Sequence, residues 1–324
     1  MKRRKFVQFS VMSAMAWTGF GISRKPTQEA LTQGSSGMLA RRDLGRTGEK
    51  LSIIGLGGLV LTDETQERAN EIVRDGFEAG INYFDVAPSY GNAEDRLGPA
   101  LQPYRKKVFL ACKTQKRDKS GAEDELNRSL KKLNAGHFDL YQLHALTTTE
   151  DVKQVFGPNG ALEVFRRARD AGKIRFIGFS AHSEKAALAA MDGFDFDTIL
   201  FPFNFACFLK AGFGPAVLER AREKKMGILA LKSMARQPWA NEEGKKQWPK
   251  AWYQPLSDPG EADLGLRFTL SLPVTAAVPP GDSRLFYQAL KIARAFKPLS
   301  ADEQGRVKDL ADRLTPLFIQ SKEV

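Results

Sequence analysis

From residue 41 onward the chain alternates short apolar runs with amphipathic stretches of helical period. Leu51–Leu56, Ile81–Val86, Val108–Lys113, Asp139–His144, Ile174–Ser180, Thr198–Asn204, Gly227–Lys232 and Ala276–Pro279 read as strands. They lack strict polar–apolar alternation, as expected of parallel strands covered on both faces. Between and after them, helices are predicted over Thr65–Ala79, Ala93–Leu101, Ala122–Leu133, Ala161–Ala171, Glu184–Met191, Pro215–Lys224, Asp263–Leu272 and Arg284–Phe296. Eight strand–helix pairs in about 250 residues describe an α/β chain folded as a (β/α)8 TIM barrel. A doubly wound open sheet is the competing arrangement. Against it, Gly55-Leu56-Gly57-Gly58 does not have the spacing of a dinucleotide-binding turn. Two pieces lie outside the eight units: a Trp-, Pro- and Lys-rich loop at 233–260, and an extra C-terminal helix over Ala301–Phe318.

The N-terminus reads as an address. Lys2-Arg3-Arg4-Lys5 precedes an uncharged stretch, Phe6–Ile22, and residues 24–40 are rich in Ser, Gly, Thr and Gln. That layout is a secretory signal followed by a linker, and the Arg3-Arg4 pair points to the twin-arginine export machinery. The expected division is therefore 1–40 as signal and linker and 41–324 as the barrel domain. The expected location is the periplasm, or the cytoplasm if the signal is not used. No stable membrane span is expected, since Phe6–Ile22 is short and holds Gln8, Ser10, Ser13 and Thr18.

Charge and composition remove several classes of function. The net charge is +11, but residues 1–25 hold six basic residues and no acid, so the rest of the chain carries only a mild excess. No clustered basic face suggests a nucleic-acid partner. Two cysteines (Cys112 and Cys207) and three scattered histidines (His137, His144 and His182) leave no metal-ligand pattern.

Polar residues at strand ends carry the candidate chemistry. Asp85 ends the second expected strand, Lys113 the third and His144 the fourth, and Tyr90 lies in the loop after Asp85. Lys113 follows Asp85 by 28 positions and His144 follows Lys113 by 31, one strand–helix unit each. Barrel active sites are built at the C-terminal ends of strands. Each residue alone has an ordinary reading as a cap, rim contact or packed histidine; together on adjacent strands they make a proton relay. An ammonium beside a phenol is expected to lower its pKa, a carboxylate to hold the ammonium, and a histidine to orient a carbonyl oxygen. No side chain can supply hydride, which implies a nicotinamide or flavin.

The chain also resembles the aldo/keto reductase superfamily. The likeness rests on Arg42–Gly48, Ile54–Gly58, Ala79–Gly91 with Glu94 and Leu97-Gly98, Cys112-Lys113-Thr114, Asp139–His144 and Gly172–Ser180. It implies NAD(P)H-dependent reduction of an aldehyde or ketone, or the reverse, on a small carbonyl or sugar-like substrate. Asp85, Tyr90, Lys113 and His144 would form the catalytic tetrad, with Tyr90 as the acid. Ser180, Asn204, Lys232, Gly281, Ser283 and Arg284 would hold the cofactor. The charge of Arg284 leans toward NADP, with NAD left open. Ala181, Leu200, Phe286 and Leu290 stand where the family commonly has polar cofactor contacts. These substitutions motivate the competing expectation, an exported binding or interaction protein that has lost productive cofactor use. The aromatic residues of the 233–260 loop, Trp239, Trp248, Trp252 and Tyr253, are candidates to wall the pocket.

Overall fold

A computed structural model describes residues 38–320. The expected signal and most of its linker lie outside the described residues. The described chain opens with an antiparallel hairpin, β1 (Arg41–Asp43) and β2 (Lys50–Ser52). Seven parallel staves follow: β3 (Leu56–Gly57), β4 (Tyr83–Asp85), β5 (Phe109–Thr114), β6 (Phe138–Leu146), β7 (Ile174–Ala181), β8 (Thr198–Pro202) and β9 (Gly227–Leu231). A second hairpin, β10 (Ala235–Pro238) with β11 (Tyr253–Pro255), interrupts the series before the last stave, β12 (Ala276–Ala277). Each stave pairs with the next in chain order. A parallel bridge from Ile54 to Ala277 closes the ring, with Gly55 N–H donating to Ala277 O at 3.0 Å and Ala277 N–H to Ile53 O at 2.9 Å. The fold is a (β/α)8 barrel.

Period-two alternation along the staves divides the core in two. Tyr83, Phe109, Ala111, Leu140, Leu200, Leu229 and Ala276 point inward and pack together, while Phe84, Leu110, Cys112, Tyr141 and Phe179 face the surrounding helices. The N-terminal mouth is plugged by the first hairpin, which sends Leu44 and Leu51 into the interior cluster. Gly227 is required there: a Cβ on it would sit 2.4 Å from Leu44 Cδ1. Arg42 fastens the hairpin by donating to Val274 O and Leu270 O, both at 2.8 Å.

Several boundaries differ from the sequence pattern for local reasons. The run Leu51–Leu56 is two elements: hairpin strand β2 ends at Ser52, whose N–H donates to Asn82 Oδ1 at 2.7 Å, and stave β3 begins at Leu56. The last stave stops at Ala277 because Pro279 and Pro280 have no N–H to offer a ladder. The stave expected over Thr198–Asn204 ends at Pro202, since Asn204 caps a short helix, Phe205–Leu209. An unanticipated helix, Thr149–Phe156, starts from a capping box formed by Thr148 and Asp151. The C-terminal helix spans Ala301–Arg313; the chain leaves it before Pro316, and Phe318 stacks on His182. Loop 233–260 holds the β10–β11 hairpin and a short helix, Glu242–Lys246.

Candidate active site

At the C-terminal mouth the inward positions turn polar. On β4 the inward series runs Tyr83, Asp85; on β5 it runs Phe109, Ala111, Lys113; on β6 it runs Leu140, Gln142, His144. Register pairs Asp85 with Ala111 and Lys113 with Gln142, so β5 and β6 turn polar one inward place further along than β4. Lys113 and Asp85 form a salt bridge there, both almost wholly buried. Asp85 Oδ2 also accepts from Tyr83 Oη at 3.1 Å and Gln142 Nε2 at 3.0 Å. Lys113 Nζ donates to Val86 O at 3.3 Å and to Tyr90 Oη at 3.4 Å. Burial pulls the Lys113 pKa down; the Asp85 carboxylate and then the Tyr90 hydroxyl more than reverse this, and the ammonium stays charged.

Tyr90 is carried by the loop after β4, folded back by a turn in which its N–H donates to Ala87 O at 3.0 Å. Its hydroxyl departs from the sequence expectation. Burial raises its pKa, and the pull of Lys113 downward offsets this only in part, so the phenol keeps its proton. The His144 ring meets Tyr90 edge-on at 5.6 Å between centroids, and its Nδ1 is 3.4 Å from Ser89 Oγ. Burial, then the charge of Lys113, pushes the His144 pKa down to about 2, so this imidazole is neutral at any working pH.

The backbone behind His144 is tightly held. Ala145 adopts a left-handed φ of +54°, its N–H donates to Ser180 Oγ at 2.8 Å, and Arg117 Nη2 donates to the carbonyls of His144 (2.9 Å) and Ala145 (3.1 Å). Arg117 is itself paired with Asp151 at 3.2 Å. Gln142 and Arg117 escaped the sequence reading. Gln142 was accessible through the inward alternation Gln142, His144; Arg117 had no such signal.

The residues expected to hold a cofactor separate into three groups. Ser180 and Asn204 are buried and internally engaged. Asn204 donates to Lys232 O (3.0 Å) and Ala235 O (2.8 Å) and accepts from the N–H groups of Ala206 and Cys207, which uses all four of its hydrogen-bonding sites. Lys232 and Gly281 line the mouth, in a cavity of about 380 Å³ shared with Tyr90, His144, His182 and Trp252. Ser283 and Arg284 open the helix Ser283–Arg294, whose N-cap, Asp282, accepts from Arg284 N–H at 2.9 Å. The same carboxylate takes Arg284 Nε at 2.9 Å and Nη2 at 2.8 Å, and the guanidinium lies 4.0 Å over the Trp248 ring. The charge that favoured a 2′-phosphate is therefore already compensated. Phe286 and Leu290 are buried on the core side of this helix and do not reach the mouth.

Loop 233–260 is a strap over the mouth. Lys250 donates to Val60 O at 3.2 Å and pairs with Glu64 at 2.8 Å on one side, while Gln247 O accepts from Arg284 at 2.9 Å on the other. A larger cavity of about 600 Å³ lies at the opposite end of the barrel, among Arg41, Arg105, Lys107 and Arg175, away from Tyr90. Among the described residues no cluster of His, Cys, Asp and Glu could hold a metal ion, and no helix is long and apolar enough to cross a membrane.

Fold and site together define a barrel whose mouth presents a protonated tyrosine to an open pocket, against a buried lysine–aspartate pair. Residues 53–245 match the aldo/keto reductase family, more than half of the chain, and the chain belongs to that family. It is 30% identical over 213 residues to the aldo-keto reductase YhdN of Bacillus subtilis, covering 59% of this chain and 60% of that protein. It is 30% identical over 155 residues to L-galactose dehydrogenase of Arabidopsis thaliana, covering 43% and 47%. The match thus spans less than two thirds of either relative. An aldo-keto reductase from Bacillus halodurans, solved in its holo form, superposes with a TM-score of 0.67 at 21% identity, over 86% of this chain and 98% of that one.

Proposed function

We propose that this protein is a nicotinamide-dependent oxidoreductase that reduces an aldehyde or ketone to an alcohol, or runs the reverse, with Tyr90 as the proton donor and acceptor. The observation that carries this reading is the Tyr90 hydroxyl at the cavity, 3.4 Å from an ammonium that Asp85 holds in place. A substrate carbonyl oxygen at the hydroxyl takes its proton as negative charge develops there. Lys113 stabilises the tyrosinate left behind, and Asp85, fixed by Tyr83 and Gln142, keeps Lys113 charged and aimed. Neutral His144 has one ring N–H, suited to orienting the carbonyl oxygen without competing as an acid.

The nicotinamide cofactor supplies the hydride. The mouth suits such a group. Asp85, Glu64 and Asp282 are neutralised by Lys113, Lys250 and Arg284 respectively, so among the described residues no unpaired carboxylate there repels a pyrophosphate. Lys232 adds a positive charge and Gly281 a close-set backbone; a Cβ at Gly281 would sit 2.7 Å from Leu59 Cβ. The test is a fluorescence titration with NADPH and with NADH. Saturable binding of both is expected, with dissociation constants within about tenfold, or ~1.4 kcal/mol, because Asp282 already holds Arg284. Binding of neither nucleotide would overturn the proposal and favour an interaction protein on a reductase-like barrel.

The pKa shifts set a pH signature. Because burial keeps Tyr90 protonated, carbonyl reduction at saturating cofactor and substrate is expected to stay flat from about pH 6 to about pH 9, whereas alcohol oxidation, which needs the tyrosinate, rises with pH across that range. His144 contributes no step near its ordinary value, since its imidazole is already neutral. Initial rates in both directions check this; a histidine-like limb in the reduction profile would contradict the neutral role given to His144.

A further inference from the structure

The cavity of about 600 Å³ at the N-terminal end of the barrel takes no part in the reaction proposed above. Segments far apart in the sequence bring six cations to it: Arg41 from β1, Lys50 from β2, Arg105, Lys106 and Lys107 from the turn before β5, and Arg175 from β7. Three carboxylates pair with them. Asp43 holds Lys50 at 3.1 Å, Glu49 holds Arg175, and Asp139 holds both Arg105 (3.1 Å) and Arg175 (2.8 Å). Arg41, Lys106 and Lys107 have no acidic partner among the described residues, so the cavity keeps a surplus of positive charge.

The N-terminal face of such a barrel ordinarily serves stability, and Asp139 does part of that work. It is buried on β6, accepts from Leu110 N–H of β5 at 2.9 Å, and reaches Arg175 on β7. The same carboxylate pre-orients two guanidiniums at the cavity. Arg105 is further fixed by donating to His137 O at 2.8 Å and Val108 O at 3.2 Å, yet its Nε has no partner, so the clasp places the group without satisfying it. The Arg175 side chain stays 44% exposed and within reach of a ligand. Lys106 and Lys107 lie outside the clasp. They follow Arg105 directly on a three-residue turn, both exposed, and crowd three like charges together. A bound anion would relieve that repulsion, and groups already held in place lose little freedom on binding it.

We propose that this basal cavity is a binding site, separate from the reaction centre, for a small phosphate-bearing anion. Cations arriving from several sides suit a phosphate, which spreads multiple charge over three oxygens. A carboxylate presents two coplanar oxygens and is met by a single guanidinium fork. The concave shape and volume fit a small molecule. The site stands independently of the reductase reading of the mouth.

The test is calorimetric titration with inorganic pyrophosphate, with citrate as a carboxylate probe of similar charge. Pyrophosphate is expected to bind, and to bind at least about tenfold more weakly to Lys106→Gln, Lys107→Gln. Both lysines are exposed and unpaired, so this variant should keep its thermal stability and its carbonyl reduction within about twofold. Lys232→Met, at the opposite mouth, should leave the basal affinity unchanged. So should Lys185→Gln, Lys291→Gln, which removes two exposed lysines outside both cavities. Absence of pyrophosphate binding would overturn the proposal, as would equal weakening in the Lys185, Lys291 variant, which would reduce the effect to overall charge. Loss confined to Lys232→Met would assign the anion to the mouth instead. Citrate binding as tightly as pyrophosphate would overturn the choice of phosphate.

Discussion

Replacing Tyr90 with Phe is expected to lower carbonyl reduction by about 10³-fold while leaving nicotinamide affinity within about twofold. The substitution removes one oxygen. The ring remains packed on the core beside His144, and the hydroxyl's hydrogen bond to Lys113 at 3.4 Å is long, so the fold loses little. What disappears is the proton that must arrive as the carbonyl oxygen gains charge. His144 cannot take over, because its imidazole is held neutral by burial and by Lys113. Lys113 cannot either, since its ammonium is committed to Asp85 and its pKa is raised. Turnover and cofactor titration on the same preparation separate the outcomes. A variant with turnover intact would show that Tyr90 is not the donor. A variant that loses cofactor binding as well would place Tyr90 in the nucleotide site.

Much of this centre was legible as a pattern because barrel geometry is repetitive. Inward alternation along β4, β5 and β6 carries Asp85, Lys113 and His144 to the same mouth, each one inward place further along its stave than the last, and a spacing of one strand–helix unit keeps adjacent staves in register. The same alternation contains Gln142, whose amide finishes the support of Asp85. Electrostatic balance was less legible. An ammonium next to a phenol suggested a lowered Tyr90 pKa, but the sign depends on how completely the phenol is buried, and desolvation prevails. Arg284 read as a free charge until the N-cap two residues earlier proved to hold it. Neither the left-handed turn at Lys232 nor the aromatic faces that flank it could be inferred, because Trp252 and Tyr253 arrive from a strap some 20 residues further along the chain. The break inside Leu51–Leu56 was hidden for a similar reason: it depends on the contact between Ser52 and Asn82, from the next stave.

Replacing Lys113 with Met tests whether that support is chemical, structural or both. Met keeps most of the side-chain volume and removes the charge, leaving the Asp85 carboxylate buried with only Tyr83 and Gln142 as donors. Breaking a buried pair from one side typically costs about 3–5 kcal/mol, because the remaining charge is uncompensated. Lys113→Met is therefore expected to lower thermal stability clearly. Removing both charges in Asp85→Asn, Lys113→Met should recover most of that loss, since an uncharged pair of similar volume has no desolvation penalty to offset. Turnover should not recover. In the double variant Tyr90 has no cation to accommodate a tyrosinate, so reduction is expected to remain about 10²–10⁴-fold below the unmodified enzyme. Thermal unfolding and initial rates on the two variants give the answer together. If stability and turnover recover together, Lys113 is a structural member of the barrel's top layer and the proton relay needs another cation. If stability recovers while turnover does not, the barrel tolerates a neutral layer at this level and the buried pair is retained for what it does to Tyr90.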